Sequence, residues 1–239
     1  MRRETQNILL VLLGGALLKI SFTGTYLRYV KPSHQWMLIA AGMIMVLLAL
    51  VSIARDLLNA RAEAAAGEGH HHSSPSTWLL LLPVLAVFLI GPPALGSDSV
   101  QRAANTSRAA APSDGSALFP PLPAGDAIPL PLSEFATRAA WDSGNSLNDR
   151  GIKLTGFVVH DGDSTYVARL AIACCAADAF PIKVKYEDSP AIAALPNDTW
   201  VEATTIVKPG TATKGNDYVP SASATEVNQI PQPEDPYEH

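Results

Sequence analysis

Three long apolar runs in the first 96 residues constrain this chain more than anything else in it. Residues 8–27 carry one charge, Lys19, and residues 36–54 and 78–95 carry none. An α-helix needs about 20 apolar residues to cross a bilayer core. A cleaved signal peptide has a shorter apolar stretch that ends in small residues. The runs predict three transmembrane helices. Trp36 and Trp78 open the second and third runs, and Tyr26 and Tyr29 close the first, where amphipathic rings favour the interface. Gly14-Gly15 and Ala41-Gly42 would let two helices approach closely. Lys19 is an intramembrane polar residue that can snorkel to the surface or face a partner helix or a water-filled path.

Charge separates the two halves. Residues 1–96 hold seven Lys/Arg against four Asp/Glu, and residues 97–239 hold ten against eighteen, which together give the net charge of −5. The acidic half argues against nucleic acid, whose binding needs a cationic surface. Flanking charges are balanced four against four, so the positive-inside count does not orient the chain. The Arg2-Arg3 pair ahead of the first run resembles a signal anchor. With three crossings it places the soluble domain outside the cell membrane.

Residues 55–77 form the loop after the second run. Its start extends the helix, and its end is rich in Gly, Ser and His. His70, His71 and His72 are candidate loop metal ligands, since imidazole suits zinc, copper or nickel. Three neighbours on one loop do not close a structural zinc site, which takes four ligands at set spacing. Residues 97–127, rich in Ala, Ser, Pro, Asp and Gly, read as a flexible linker.

From residue 128 the pattern changes to a mainly-β soluble domain, 128–239. Ser133 is placed to cap a short helix holding Phe135 and Trp141. Strands are expected over 151–160, 166–172, 181–186, 200–207 and 218–227 from period-2 alternation and bounding turns. Five short strands suggest a small OB-like barrel. The whole is three N-terminal transmembrane α-helices plus a C-terminal β domain.

Cys174 and Cys175 are the chain's two cysteines. Adjacent cysteines bridge each other only in a strained ring, because the disulfide geometry needs Cα atoms further apart. In a strand one thiol would face each way. In a turn or bulge both could face one side, with Asp178 completing a candidate thiol and metal site. Packing, metal or redox chemistry and catalysis all stay open at this point. A reactive thiol needs a cationic or basic neighbour, for which His160 and Arg169 are nearest in sequence. No Ser-His-Asp, P-loop or dinucleotide pattern occurs, so no catalytic residues are assigned and the chain reads as a non-enzyme.

The chain resembles the YcgQ-like family of permease subunits. The resemblance is carried by Gly-Thr-Tyr-Leu-Arg-Tyr-Val-Lys-Pro over 24–32, the His run 70–72, Leu154-Thr-Gly-Phe-Val158 and the block from Arg169 through Cys-Cys-Ala-Ala-Asp-Ala179. Asp198-Thr-Trp-Val-Glu202 and the tail Pro233-Glu-Asp-Pro-Tyr237 add to it. It departs from the family pattern at Ala203-Thr-Thr205 and in its short His run. The resemblance implies an accessory role beside a larger multi-helix permease in the lipid bilayer. The residues leave an alternative, a membrane-tethered metal- or thiol-handling module with zinc as the candidate ion.

Overall fold

The computed structural model describes residues 3–63, 85, 89–103, 119–142 and 146–239. The chain divides into two compact units, Met1–Pro93 and Ala94–His239. In the first, helix α1 spans Arg3–Phe22 and helix α2 spans Gln35–Glu63. Two 3-10 turns, Thr25–Arg28 and Pro32–His34, reverse the chain between them. Gly24 opens the first turn at φ 75°, a left-handed conformation that glycine adopts without penalty.

The pairing is antiparallel. Gln35 Nε2 donates to the Ser21 carbonyl at 3.1 Å near the turn. Asn7 Nδ2 donates to Asp56 Oδ2 at 3.5 Å near the open end. Between them Gly14 and Gly42 mark the closest approach. A Cβ on Gly14 would lie 2.9 Å from the Gly42 carbonyl oxygen, and one on Gly42 would lie 2.9 Å from Leu18 Cγ, whereas Gly15 faces open space. Small residues bring the two backbones together here.

The outer surface of α2 is apolar. Trp36, Met37, Ile44, Leu47 and Leu57 are each more than half exposed. Residues 32–58 are long and apolar enough to cross a membrane, and 11% of that apolar window is buried. The apolar part of α1, Gln6–Phe22, is shorter. Most of residues 78–95 lies outside the described residues, as do His70, His71 and His72. The expected three transmembrane helices are therefore corrected: among the described residues two apolar helices pair, and one reaches spanning length. The first run stays free of charge from Ile20 to Leu27, but the helix ends at Phe22 and the 3-10 turn begins at Thr25. The placement of the soluble domain outside relied on an odd number of crossings and falls with that count. Tyr26, expected at an interface, is buried.

The second unit is built on seven strands: β1 (Ile128–Pro129), β2 (Ile152–Asp161), β3 (Ser164–Ala171), β4 (Phe180–Tyr186), β5 (Trp200–Val207), β6 (Ser221–Gln229) and β7 (Tyr237–Glu238). Their order is β1-β2-β5-β6-β4-β3-β7, and β2 also pairs with β3. Helices α3 (Ser97–Arg102), α4 (Leu132–Trp141) and α5 (Pro190–Ala193) accompany them. The expected five-stranded OB-like barrel is corrected to this seven-stranded mixed sheet, with parallel pairs β1–β2, β4–β6 and β3–β7, in which the β2–β3 pairing closes the five longer strands into a ring β2-β5-β6-β4-β3. The two added strands are two residues long, too short to show any alternation.

β2 explains how the sheet is covered. Ile152, Leu154 and Val158 face one core with Leu132, Phe135 and Ala136 of α4. Phe157 and Val159 face a second core with Val100 of α3 and Tyr237 of β7. The apolar run Phe157-Val158-Val159 is continuous because both faces are buried there. Gly156 stands where β2 passes from pairing with β5 to pairing with β3. A Cβ there would lie 2.6 Å from the Ala168 carbonyl oxygen, so the close approach of β3 requires glycine. Residues 97–102, expected to begin a tether, instead form α3, and Val100 is 1% exposed.

The tail locks the end of the unit. Glu238 accepts hydrogen bonds from the backbone N–H of Leu132 at 2.6 Å and of Ser133 at 2.9 Å. It supplies the acceptors that the first turn of α4 lacks. This corrects the expectation that Ser133 caps the helix, which has Pro131 at its N-cap and no side-chain cap of its own.

Candidate functional site

The Cys-Cys block sits in the loop between the antiparallel neighbours β3 and β4. β3 ends at Ala171, and a 3-10 turn over Ala176–Asp178 leads into β4. Leaving the strand removes the alternation that would have split the thiols between two faces. Cys174 Sγ and Cys175 Sγ stand 3.6 Å apart, unbonded, and both residues are accessible.

Asp178 organises this turn. Its Oδ1 accepts from the Ala173 N–H at 2.9 Å, and its Oδ2 accepts from the N–H groups of Cys174 at 2.8 Å and Cys175 at 3.4 Å. Its own N–H donates to the Cys175 carbonyl at 3.0 Å. The sulfurs of Cys174 and Cys175 and a carboxylate oxygen of Asp178 all lie within 4.8 Å of one another. Among the described residues this is the cluster of three metal-ligating side chains that the fold assembles.

The electrostatics follow from that contact. A hydrogen bond to the Asp178 carboxylate, then one to Cys175, pushes the Cys174 thiol up to about 12. The same thiol, then the backbone N–H donors, holds Asp178 down from 3.8 to about 2. The Cys174 proton reaches either the neighbouring sulfur or the carboxylate, one at a time. A thiol kept protonated is a poor nucleophile, since the thiolate is the reactive form. A cation binding at this sulfur would have to displace that proton.

The two residues considered as activators lie elsewhere. His160 pairs with Thr165 at the far end of β3, about 20 Å of strand from Ala171 at ~3.3 Å per residue. Its Nε2 contacts the Leu195 carbonyl at 2.7 Å. Arg169 donates to the carbonyls of Asp235 at 2.8 Å and Pro236 at 3.3 Å and lies over the Trp200 ring. Burial lowers its pKa, against the opposing pull of Glu238 and Asp235. It anchors the tail. Lys19 is exposed in the last turn of α1 and lines an open cleft of about 430 Å³ with Thr23, Thr25, Arg28 and Tyr29 and with the apolar Leu13, Leu17 and Ile20.

Two family domains cover most of this architecture. The DUF1980 N-terminal domain matches residues 5–105, and the DUF1980 C-terminal domain matches residues 142–239. The chain belongs to the DUF1980 family. The family's C-terminal domain takes in the Cys174–Cys175–Asp178 loop, strands β2–β7 and the tail, and its N-terminal domain takes in α1, α2 and α3. Comparison with curated proteins and with solved structures gives no match.

Sequence reasoning missed two polar anchors in this family fold. Asp198 accepts from the Ser97 N–H at 2.6 Å and hydroxyl at 2.8 Å, which ties α3 to the loop before β5. Glu238 reaches α4 across more than a hundred residues. Neither has a local signature. Asp198 carries one faint signal, its place in an Asn-Asp turn, where it adopts φ 65°.

Proposed function

We propose that this DUF1980 chain is a membrane-anchored, non-enzymatic accessory subunit of a transport complex. The observation that carries the reading is the exposed apolar surface of α2 over residues 32–58. Such a surface requires lipid or other apolar helices around it. Among the described residues two helices pair, too few to enclose a transport path, which supports assigning the path to a larger multi-helix permease. The YcgQ-like resemblance points to the same kind of partner. The extramembrane sheet unit then serves the complex as a binding surface. Affinity purification from mild detergent at native expression tests this. A larger permease should co-purify with the chain, and recovery of the lone chain would refute the reading.

A second reading is favoured by the loop between β3 and β4. Two accessible thiols and a carboxylate within 4.8 Å support reading the sheet unit as a metal- or thiol-handling module, tethered to the membrane by α2. Zinc is the ion such a sulfur and oxygen set suits first. His70, His71 and His72 would contribute ligands only from the same side of the membrane. Labelling of Cys174 and Cys175 in intact cells with a membrane-impermeant maleimide reads that side directly. Elemental analysis of wild type against Cys174→Ser/Cys175→Ser tests the reading, and equal, negligible metal in both would remove it.

A further inference from the structure

We propose that Cys174, Cys175 and Asp178 form a three-ligand exchange site for a four-coordinate divalent cation of the zinc and cadmium class, with the fourth position open to a partner's ligand. The proposal rests on the metal-handling reading and specifies its cargo. The spacing carries it. A tetrahedral ion with metal–sulfur bonds of about 2.3 Å sets its two sulfurs about 3.8 Å apart and an oxygen about 3.6 Å from each. The two sulfurs here are 3.6 Å apart, and all three ligand atoms fall within 4.8 Å of one another. Two bonds of that length in line would need roughly 4.6 Å between the sulfurs, so the pair is pre-set for a bent arrangement.

The carboxylate is pre-set as well. A carboxylate has about four acceptor positions, and Asp178 commits one on Oδ1 and two on Oδ2 to backbone N–H groups. That leaves one position, which the Cys174 S–H uses and vacates when its proton leaves. The backbone bonds fix the carboxylate without consuming it, which lowers the ordering cost when an ion arrives. As each sulfur ligates, its proton passes to solvent, so one ion releases two protons if both thiols start protonated.

The site is built for exchange. Structural zinc sites draw four protein ligands and close around the ion. Here three ligands come from one exposed loop of five residues, 174–178. A bound ion would keep one face towards solvent, where a ligand from another protein can attack and take it.

The test uses the full chain in detergent. Cadmium binding is followed by thiolate-to-metal charge-transfer absorbance, zinc binding by competition with a chromogenic chelator, and the zinc shell by X-ray absorption. The expected result is one ion per chain, with two sulfurs and two lighter atoms in the shell. Added small thiol should replace one lighter atom with a third sulfur. Cys174→Ser and Cys175→Ser should each weaken binding roughly tenfold or more. Both side chains are accessible, so an unchanged melting temperature verifies that the variants fold. A four-sulfur shell shared between two chains would overturn the open position. Copper(I) held at these thiols in preference to zinc would overturn the ion class and leave the metal-handling reading standing. No binding of any soft cation, with variants matching wild type, would overturn both.

Discussion

The two units of this chain bury apolar surface in opposite ways. In the helical unit, α1 and α2 meet along one seam at Gly14 and Gly42 and leave Trp36, Met37, Ile44 and Leu47 exposed. In the sheet unit, both faces of β2 are covered, and Phe135, Leu154, Val158 and Val167 are fully buried. Apolar burial supplies about 25 cal/mol per Å² removed from water. The sheet unit obtains that from its own residues. The helical pair must obtain it from its surroundings. The same residue types thus form a closed core in one unit and an outward apolar surface in the other, and what separates them is how many sides the fold itself covers.

That contrast can be broken experimentally. Phe135→Ala should have the largest effect, about 3–5 kcal/mol off the sheet unit, read by chemical denaturation. The Gly14–Gly42 seam should be untouched. Gly14→Leu and Gly156→Val each overpack a close backbone approach and should cost about 1–3 kcal/mol. The first should loosen the helix pair, seen in disulfide cross-linking between engineered cysteines, with the sheet unit's melting unchanged. The second should do the reverse. Equal effects of both on both units would erase the distinction. Glu238→Ala removes the acceptors at the N-terminus of α4 and should cost about 1 kcal/mol, visible as faster amide exchange at Leu132 and Ser133.

The smallest effect concerns the thiol loop. Asp178 has a folded-state pKa of about 2 against an ordinary 3.8. A depressed carboxylate stabilises the fold above its unfolded value and loses that contribution as pH falls through its folded value. Protection of the Ala173, Cys174 and Cys175 amides, taken against their intrinsic exchange rates, should therefore fall between about pH 4 and pH 2, with little change in global stability because the group is exposed. Asp178→Asn removes the main cause of the raised Cys174 pKa. Alkylation of Cys174 at pH 8 should then run several-fold faster. An unchanged rate would show that the carboxylate does not hold the thiol.

Legibility in the sequence followed the range of the interactions. The strand Trp200–Val207 was readable to the residue, because its alternation is local. β1 and β7 were not, because two residues next to prolines hold no period and exist through partners elsewhere in the chain. In the first run the sequence shows a stretch free of charge without marking where the helix ends: residues 23–27 carry no charge, but Gly24 turns the chain. At the site, Cys174, Cys175 and Asp178 were legible as a set. Their shared face was not, because it depends on β3 ending at Ala171 and on three backbone N–H groups converging on one carboxylate.

The division of labour between the units is tested most directly by cleaving membranes that carry the chain at a protease site engineered at the exposed residues 91–93, the boundary between the units. A fragment containing residues 94–239, with α3 in place, should be released into water, stay folded and keep its zinc affinity, while α1 and α2 remain with the bilayer. A fragment that unfolds on release, or helices that leave with it, would contradict the account.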